Sequence, residues 1–574
     1  MENQKISEML EEMADILDMI GVEWKPMALR KAARNIETLS EDIGVIYKEK
    51  GIEGLRSIPG VGEGISSKIA EYLETGVMKE LDELKKKVPK GVEEMMHIQG
   101  LGPKKAWKLY KKLGIDSIEK LEQSAKKGKI RKLGGFGEKS EEDILMGLGL
   151  LKKRYERVSI AMALPIAQEI QNKLKRLKEV DKVDIAGSIR RRKETVKDID
   201  ILVISKHPKK VTDFFTGMEN VDVVVSKGDT RSSVVLKEGL NCDIRIVESK
   251  SYGSALDYFT GSKEHNVKLR GIAIKKGLKL SEYGIFNAKT NRYVCGKTED
   301  EVYKKLGLKY IEPEMREDTG EIELVQEGKK LPKLISYNGI KGDLHMHTVW
   351  SDGMHSSEDM IKAGIEMGYE YLAITDHSKS TYVANGLDEK RLLEHINEID
   401  KLDKKYKKIK VLKGAEVDIL KDGSLDYNDS ILKKLDVVIG SIHSGFKNTK
   451  EQITKRLLRA IENPRLNIIA HPTGRLINQR NPYDFDFDLI LGKAKENNVA
   501  LEINSFPSRL DLKDVHIKSA IERGVKLAIN TDSHSTDHLR FMEFGIAQAR
   551  RGWATEDDVI NSWTFKKFEK FIRK

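Results

Sequence analysis

The chain has 574 residues, 39% hydrophobic and 34% charged, with a net charge of +11 and only two cysteines, Cys242 and Cys295. That length calls for several domains, two cysteines exclude a disulfide framework and any thiolate zinc module, and no apolar run of about 18 or more residues predicts a membrane span. From residue 341 onward 38 Lys and Arg face 36 Asp and Glu, so +9 of the +11 falls in the first 340 residues, where a polyanion would be bound.

The start, MENQKISEML, lacks the apolar core of a signal peptide, and a cytoplasmic protein is expected. Ile6, Met9, Leu10, Met13, Ile16, Leu17 and Ile20 recur at helical spacing, and residues 1 to about 150 read as all-helical. Ile58-Pro59-Gly60-Val61-Gly62 interrupts the helices. Ile98-Gln99-Gly100-Leu101-Gly102 repeats the device, with Lys104 and Lys105 behind it, and Gly135-Phe136-Gly137 is a looser third copy. Glycines let the backbone turn and approach a phosphate closely, and the following helix offers its free N–H groups. This helix-hairpin-helix pattern grips DNA backbone without reading sequence. One copy alone would be an ordinary helix–helix turn about as often.

From about 180 to 250 strand-like runs dominate. Within VDIAGSIRRRKETVKDIDILVIS, the turn Gly187-Ser188 precedes Asp198-Ile199-Asp200 at the head of an apolar run. Residues i and i+2 of a strand share a face, so Asp198 and Asp200 would present two carboxylates together, a site for magnesium. Asp-x-Asp alone is more often a solvated edge-strand face. Arg190-Arg191-Arg192, a third carboxylate at Asp243 in another strand-like run, and Tyr258-Phe259-Thr260-Gly261-Ser262 with Asn266 and Arg270 turn that reading toward nucleotidyl transfer. Three carboxylates can hold two metals, one for the attacking hydroxyl and one for the leaving pyrophosphate.

Residues 312 to 340 are charged and weakly periodic, a linker with one short strand at most. Beyond them strands alternate with helices to the end, and ten of the thirteen histidines lie here. Six of seven apparent strands finish in a metal-ligand residue: His345 and His347, then His377, Glu416, His443, His471, and Asp532 with His534. In a β/α barrel the carboxyl ends of the strands converge on one site. A single such histidine is usually a capped or core residue; six strand ends are a pattern. Imidazole with carboxylate suits manganese, zinc or iron, and phosphate-ester hydrolysis by metal-activated water is the expected chemistry. Arg475, after His471-Pro472-Thr473-Gly474, is the candidate for a substrate phosphate, with a salt bridge at the barrel mouth as the alternative. His355, His395, His516 and His538 are expected to be solvated.

In order and spacing, the two hairpins, Gly187-Ser188, Asp198-x-Asp200, Asp243 and Tyr258-Phe259-Thr260-Gly261 resemble the family X DNA polymerases, similar to DNA polymerase beta, over about residues 1–316. The resemblance implies two magnesium (or manganese) ions on Asp198, Asp200 and Asp243, with Arg245 orienting Asp243. It implies Gly187, Ser188 and Arg191 at the triphosphate, Tyr258, Phe259 and Gly261 at the sugar, Asn266 at the base edge and Arg270 at the template strand. Lys68 matches the lysine that forms a Schiff base with an abasic-site sugar in vertebrate members, but its helper lysine is Gly64 here, so a DNA-contacting or merely solvated lysine is favoured over a lyase nucleophile. Residues 338–574 resemble the polymerase and histidinol phosphatase (PHP) domain. That match implies His345, His347, Asp352, His377, Glu416, His443, His471, Asp532 and His534 as ligands of a two- or three-metal cluster of manganese, zinc or iron.

The expected architecture is multidomain. A DNA-binding helical domain (1–80) and a second helix-hairpin-helix subdomain (81–150) precede an α+β nucleotidyltransferase palm (151–247). A nucleotide-selecting subdomain (248–316), a linker (317–337) and a distorted (β/α)7 barrel (338–574) follow. The expected function is templated filling of short gaps in DNA repair by a monomer using deoxynucleoside triphosphates on gapped or primer-template DNA. The barrel would process 3′ ends as a 3′–5′ exonuclease, abasic-site endonuclease or 3′-phosphatase. The alternatives are a nucleotidyltransferase acting on RNA or a small molecule, fused to a small-molecule phosphatase, and a non-catalytic DNA scaffold.

Overall fold

A computed structural model describes residues 2–37, 42–96, 98, 101–138, 140–142, 144–145, 148 and 157–573. It divides into two compact units, Met1–Glu156 and Arg157–Lys574.

The first unit is helical throughout its described residues. Ile6, Leu10, Met13 and Leu17 of the helix Glu2–Met19 form one apolar stripe, buried against Leu29, Ala32, Ala33 and Ile36 of the helix Lys25–Glu37. Both hairpin helices, Glu63–Thr75 and Pro103–Leu113, start after an extended glycine, Gly62 and Gly102, with no side chain capping the first turn. A Cβ at either glycine would meet open space. The leading N–H groups, which an N-cap side chain would normally satisfy, therefore face outward. Gly100 lies outside the described residues.

The second unit contains the palm sheet, a smaller mixed subdomain after it and the barrel. The palm sheet has the spatial order Lys182–Ile185, Asp198–Ile204, Asn241–Val247, Arg231–Leu236, Val221–Lys227. Its two central strands run parallel and the other pairs antiparallel. Ile199, Ile201 and Val203 enter the palm core, so alternation puts Asp198 and Asp200 on the opposite face. The next subdomain packs the helices Tyr252–Thr260 and Lys263–Lys275 beside a three-stranded antiparallel sheet.

The carboxy-terminal part is a seven-stranded parallel sheet with its strands in chain order, Gly342–Asp343, Tyr371–Ile374, Lys410–Asp418, Val437–Ser441, Ile468–Ile469, Ala500–Asn504 and Leu527–Asn530. It nearly closes: Met346 bridges Ser533 in parallel, and the His347 amide donates to the Ser533 carbonyl at 2.7 Å. Alternate residues serve two cores, Tyr371 and Ala373 one, Leu372 and Ile374 the other, as in strands buried on both faces.

The stretch expected as a linker is firmly packed. It holds a short 3-10 turn, Pro313–Met315, and a helix, Glu321–Gln326, and no strand. Arg316 is fully buried, Glu314 pairs with Arg550 at 2.7 Å, and the Ile335 amide donates to the Ala554 carbonyl. Ion pairs and backbone bonds fasten this segment, and hydropathy does not register those. No helix among the described residues is long and apolar enough to cross a membrane.

Candidate functional site

In the palm, strand register does the assembling. Asp198–Ile204 pairs in parallel with Asn241–Val247 so that Asp200 sits directly beside Asp243 and Asp198 beside Asn241. Gly187 turns behind them with φ +63°, and a Cβ there would overlap the Asp200 carboxylate. Only glycine suits both demands. Burial, then Asp198 and Asp243, push the Asp200 carboxyl up to about 7. Burial and then Asp243 raise Asp198 as well. Carboxylates that raise one another in this way are relieved by a divalent cation, so the donor set fits a metal.

Around this face, Tyr258 and Phe259 meet edge to face at 5.1 Å, and the Asn266 amide donates to the Tyr258 carbonyl at 2.7 Å. Arg270 is partly exposed, and burial lowers its pKa. Gly261, at φ +66°, leaves room for the Arg191 guanidinium. Arg191 reaches Glu317 at 2.9 Å and donates to the Thr260 carbonyl. Ser188 is half-buried in the Gly187–Arg190 turn. Arg190 is fully engaged, bidentate on Glu299 at 2.6 and 2.7 Å and bonded to the Thr260 hydroxyl. Arg245 lies over the Phe259 ring at 4.4 Å. Burial, then Arg231, lowers its pKa against the pull of Asp243 and Asp200. Arg231, its cross-strand neighbour, approaches Asp243 at 3.8 Å.

At the barrel, the nine expected ligands converge from successive strand ends. Three close groups form: His347, Asp352, His377 and His534; His345, His347 and Asp532; His377, Glu416 and His443. His471 completes the set through Glu416 at 2.9 Å. Glu416 is the hub, with His377 at 2.8 Å on one oxygen and His443 at 3.3 Å on the other. Burial opposes its charge, but His377, His443 and His345 hold it well below the usual carboxylate range. Burial, then His377 and His534, push His347 down to about 4, leaving a neutral imidazole. Against the same burial, Glu416 drives His443 up to about 10, and Asp352 with Asp532 drives His534 to about 9. Asp352, despite burial, is held at about 2, chiefly by His534.

The fit to metal ions rests on buried ligand atoms that face one another without forming hydrogen bonds. His345 Nε2, both ring nitrogens of His347, His377 Nδ1 and Glu416 Oε2 are buried with no hydrogen bond. Buried polar atoms without hydrogen bonds are costly, and the imidazole and carboxylate lone pairs among them are ones that cations would satisfy.

The ligands are themselves held by residues that the sequence reading passed over. Glu502, fully buried, accepts from His345 Nδ1 at 2.7 Å, the His471 amide at 2.7 Å and Asn530 at 2.9 Å. Asp418 sits 3.1 Å from His443 Nδ1. Asp376 accepts from the Thr348 amide and hydroxyl and from Ser351, shaping the loop that carries Asp352. A carboxylate behind a ligating histidine fixes its ring and tautomer. The identifiable signal was a mid-strand or pre-ligand acid, such as Glu502 in Leu501-Glu502-Ile503.

For Arg475 the structure shows the salt-bridge alternative, and for His395 the expectation changes. Arg475 is bidentate on Glu194 of the palm at 2.7 and 3.1 Å and donates to the carbonyls of Arg509 and Leu510, so its guanidinium is occupied as an interdomain brace. Arg509 is the cation at the cluster, 3.3 Å from Asp532. His395 is buried rather than solvated, stacked on Trp350 at 4.9 Å and 3.6 Å from Asp376. In the first unit Lys68 lies 2.9 Å from Glu80 and donates to the Gly64 carbonyl, an ion-pair role rather than that of a free amine. Lys104 and Lys105 open the helix behind Gly102, with Lys105 Nζ 5.8 Å from the Phe136 ring centre.

Comparison with known proteins covers the whole chain. Family models match a helix-hairpin-helix domain at residues 1–78, a SAM-like helix-hairpin-helix tandem at 92–149, the DNA polymerase beta thumb at 255–317 and the PHP domain at 343–506. The chain is 41% identical to the DNA polymerase/3′-5′ exonuclease PolX of Bacillus subtilis (strain 168), across all of both proteins. It is 27% identical to DNA polymerase lambda of Rattus norvegicus over 55% of this chain and 56% of that one. A probable phosphatase of Thermoanaerobacter sp. (strain X514) is 31% identical over 38% of this chain and 89% of its own length.

Proposed function

The chain belongs to the PolX family, family X DNA polymerases that carry a carboxy-terminal PHP domain, and we propose that it cleans the 3′ end of a short gap at the barrel and fills that gap at the palm. The observation that carries this reading is the coexistence of a three-carboxylate palm face and a nine-ligand barrel cluster in one compact unit. A small-molecule transferase would need neither the outward-facing hairpins nor their basic surroundings.

At the palm, Asp198, Asp200 and Asp243 would hold two magnesium (or manganese) ions. Bound divalent ions at either centre supply Lewis-acid assistance to phosphoryl transfer and to activation of its nucleophile. Ser188 and Arg191 meet the incoming deoxynucleoside triphosphate, Tyr258 and Phe259 the sugar, Asn266 the base edge and Arg270 the template strand. Gly60, Gly62, Gly100 and Gly102, with Lys104 and Lys105, grip DNA backbone, contacts that position rather than specify.

At the barrel, His345, His347, Asp352, His377, Glu416, His443, His471, Asp532 and His534 would hold two or three manganese, zinc or iron ions. Glu416, at the centre of the donor set, would be a shared ligand candidate, Glu502 and Asp418 would orient the imidazoles, and Arg509, in place of Arg475, would take a phosphate oxygen of the 3′-terminal ester. Abasic-site cleavage and 3′-phosphate removal use the same chemistry at the same bond type. An abasic-site lyase is not part of the reading, because Lys68 is paired. The working form is a cytoplasmic monomer.

Primer extension on a one-nucleotide gap tests the polymerase half. Template-directed incorporation is expected; addition of nucleotides only to an RNA or small-molecule acceptor would overturn it.

A further inference from the structure

Arg551 ends the barrel helix Met542–Arg551, 360 residues from the palm turn, yet its side chain is 2% exposed and reaches that turn. Its Nη1 donates to the Arg191 carbonyl at 2.8 Å and to Glu317 Oε1 at 3.0 Å, while its Nη2 pairs with Asp514. The same Glu317 oxygen accepts from Arg191 Nε at 2.9 Å, and Arg191 Nη1 donates to the Thr260 carbonyl. Lys193 lies 3.4 Å from the other Glu317 oxygen.

Two of the three guanidinium nitrogens of Arg191 are therefore fixed. Its Nη2 makes no hydrogen bond among the described residues. A planar guanidinium held at two corners presents the third in one direction. Three cations (Arg191, Lys193 and Arg551) against two carboxylates (Glu317 and Asp514) also leave the cluster positive, which favours a polyanion.

We propose that Arg551 is a positioning residue for nucleotide incorporation: through Glu317 the barrel sets the direction in which Arg191 meets the incoming triphosphate. The inference rests on the assignment of Arg191 to the triphosphate given above. It makes the barrel part of the polymerase site without contact with substrate. A plain interface ion pair would behave differently, because its loss would weaken both activities in step with stability.

The test uses the full chain carrying Arg551→Met or Arg551→Lys, with single-nucleotide incorporation on saturating gapped DNA. Exonuclease activity on a single strand and the Tm are followed in parallel. In Arg551→Met both lost orientation and a less neutralised Glu317 act the same way. The KM for the triphosphate should rise about tenfold, the scale of one lost charge-assisted hydrogen bond, with kcat and exonuclease activity retained. Arg551→Lys keeps the charge but not both bonds, and should fall between; if the Met variant does not fold, a raised KM in the Lys variant alone supports the proposal. An unchanged KM in a folded variant, or KM, kcat and exonuclease activity declining together with Tm, would overturn it. Arg191→Ala separates the two layers, since an unchanged KM there would overturn the triphosphate assignment itself.

Discussion

Single residues decide whether each centre can close. At Gly187 a positive φ and contact with the Asp200 carboxylate coincide, so Gly187→Ala must move either the turn or that carboxylate. Misplacement of that kind costs about a hundredfold in rate. Extension by Gly187→Ala should fall on that order while single-strand exonuclease activity is kept; equal loss of both would mean general misfolding. In the barrel, Glu502 bonds the rings or backbone of two ligands without being one. Glu502→Gln keeps the shape but weakens the acceptor behind His345. Isothermal titration with manganese should show affinity reduced about 10- to 100-fold, with gap filling untouched. Such supporting carboxylates lack the strand-end spacing of the ligands, and their one trace in the sequence is an acid inside an apolar strand.

Elements explain why so much else was legible. Strand alternation puts Asp198 and Asp200 on one face and Ile199 and Ile201 in the core, and a two-residue period is visible in any sequence. Most candidate barrel ligands fall at or near strand ends, so His377, Glu416 and His443 announce themselves one after another. What alternation cannot supply is the partner of a charge. The resemblance puts Arg245 on Asp243, but its ring partner Phe259 comes from the helix that follows, Tyr252–Thr260, which strand alternation does not place. Arg475 likewise found Glu194, 281 residues away. The thumb-side element shows what such pairs contribute. Glu299 is opposed by burial, yet Arg316 and Arg190 hold it at about 2 against an ordinary 4.5. A depressed folded value means that the pair stabilises fully above about pH 4.5 and that this is lost as pH falls through about 2. Glu299→Gln should therefore lower stability at neutral pH by about 3–5 kcal/mol, and the deficit should shrink as pH drops below 4.5. Urea unfolding at pH 7 and pH 3 measures it; a deficit equal at both would assign the effect to packing.

At the scale of the whole molecule, palm, thumb and barrel are one packed unit rather than beads on a linker. Leu510 and Phe544 of the barrel lie in the palm core, and Leu510 adjoins Arg509 at the metal cluster. The sequence showed three architectures in a row but not their fusion, because long-range packing between separately periodic segments leaves no local trace. The fused unit carries the central claim, that one chain removes what blocks a 3′ end and then extends it at a second, separate centre. Gapped DNA with a mismatched 3′ nucleotide, given magnesium, manganese and all four triphosphates, tests this most directly. The wild type should trim and fill. His347→Ala should fill only from a matched end, and Asp200→Ala should trim without filling. Trimming that survives His347→Ala, or filling that survives Asp200→Ala, would contradict the account.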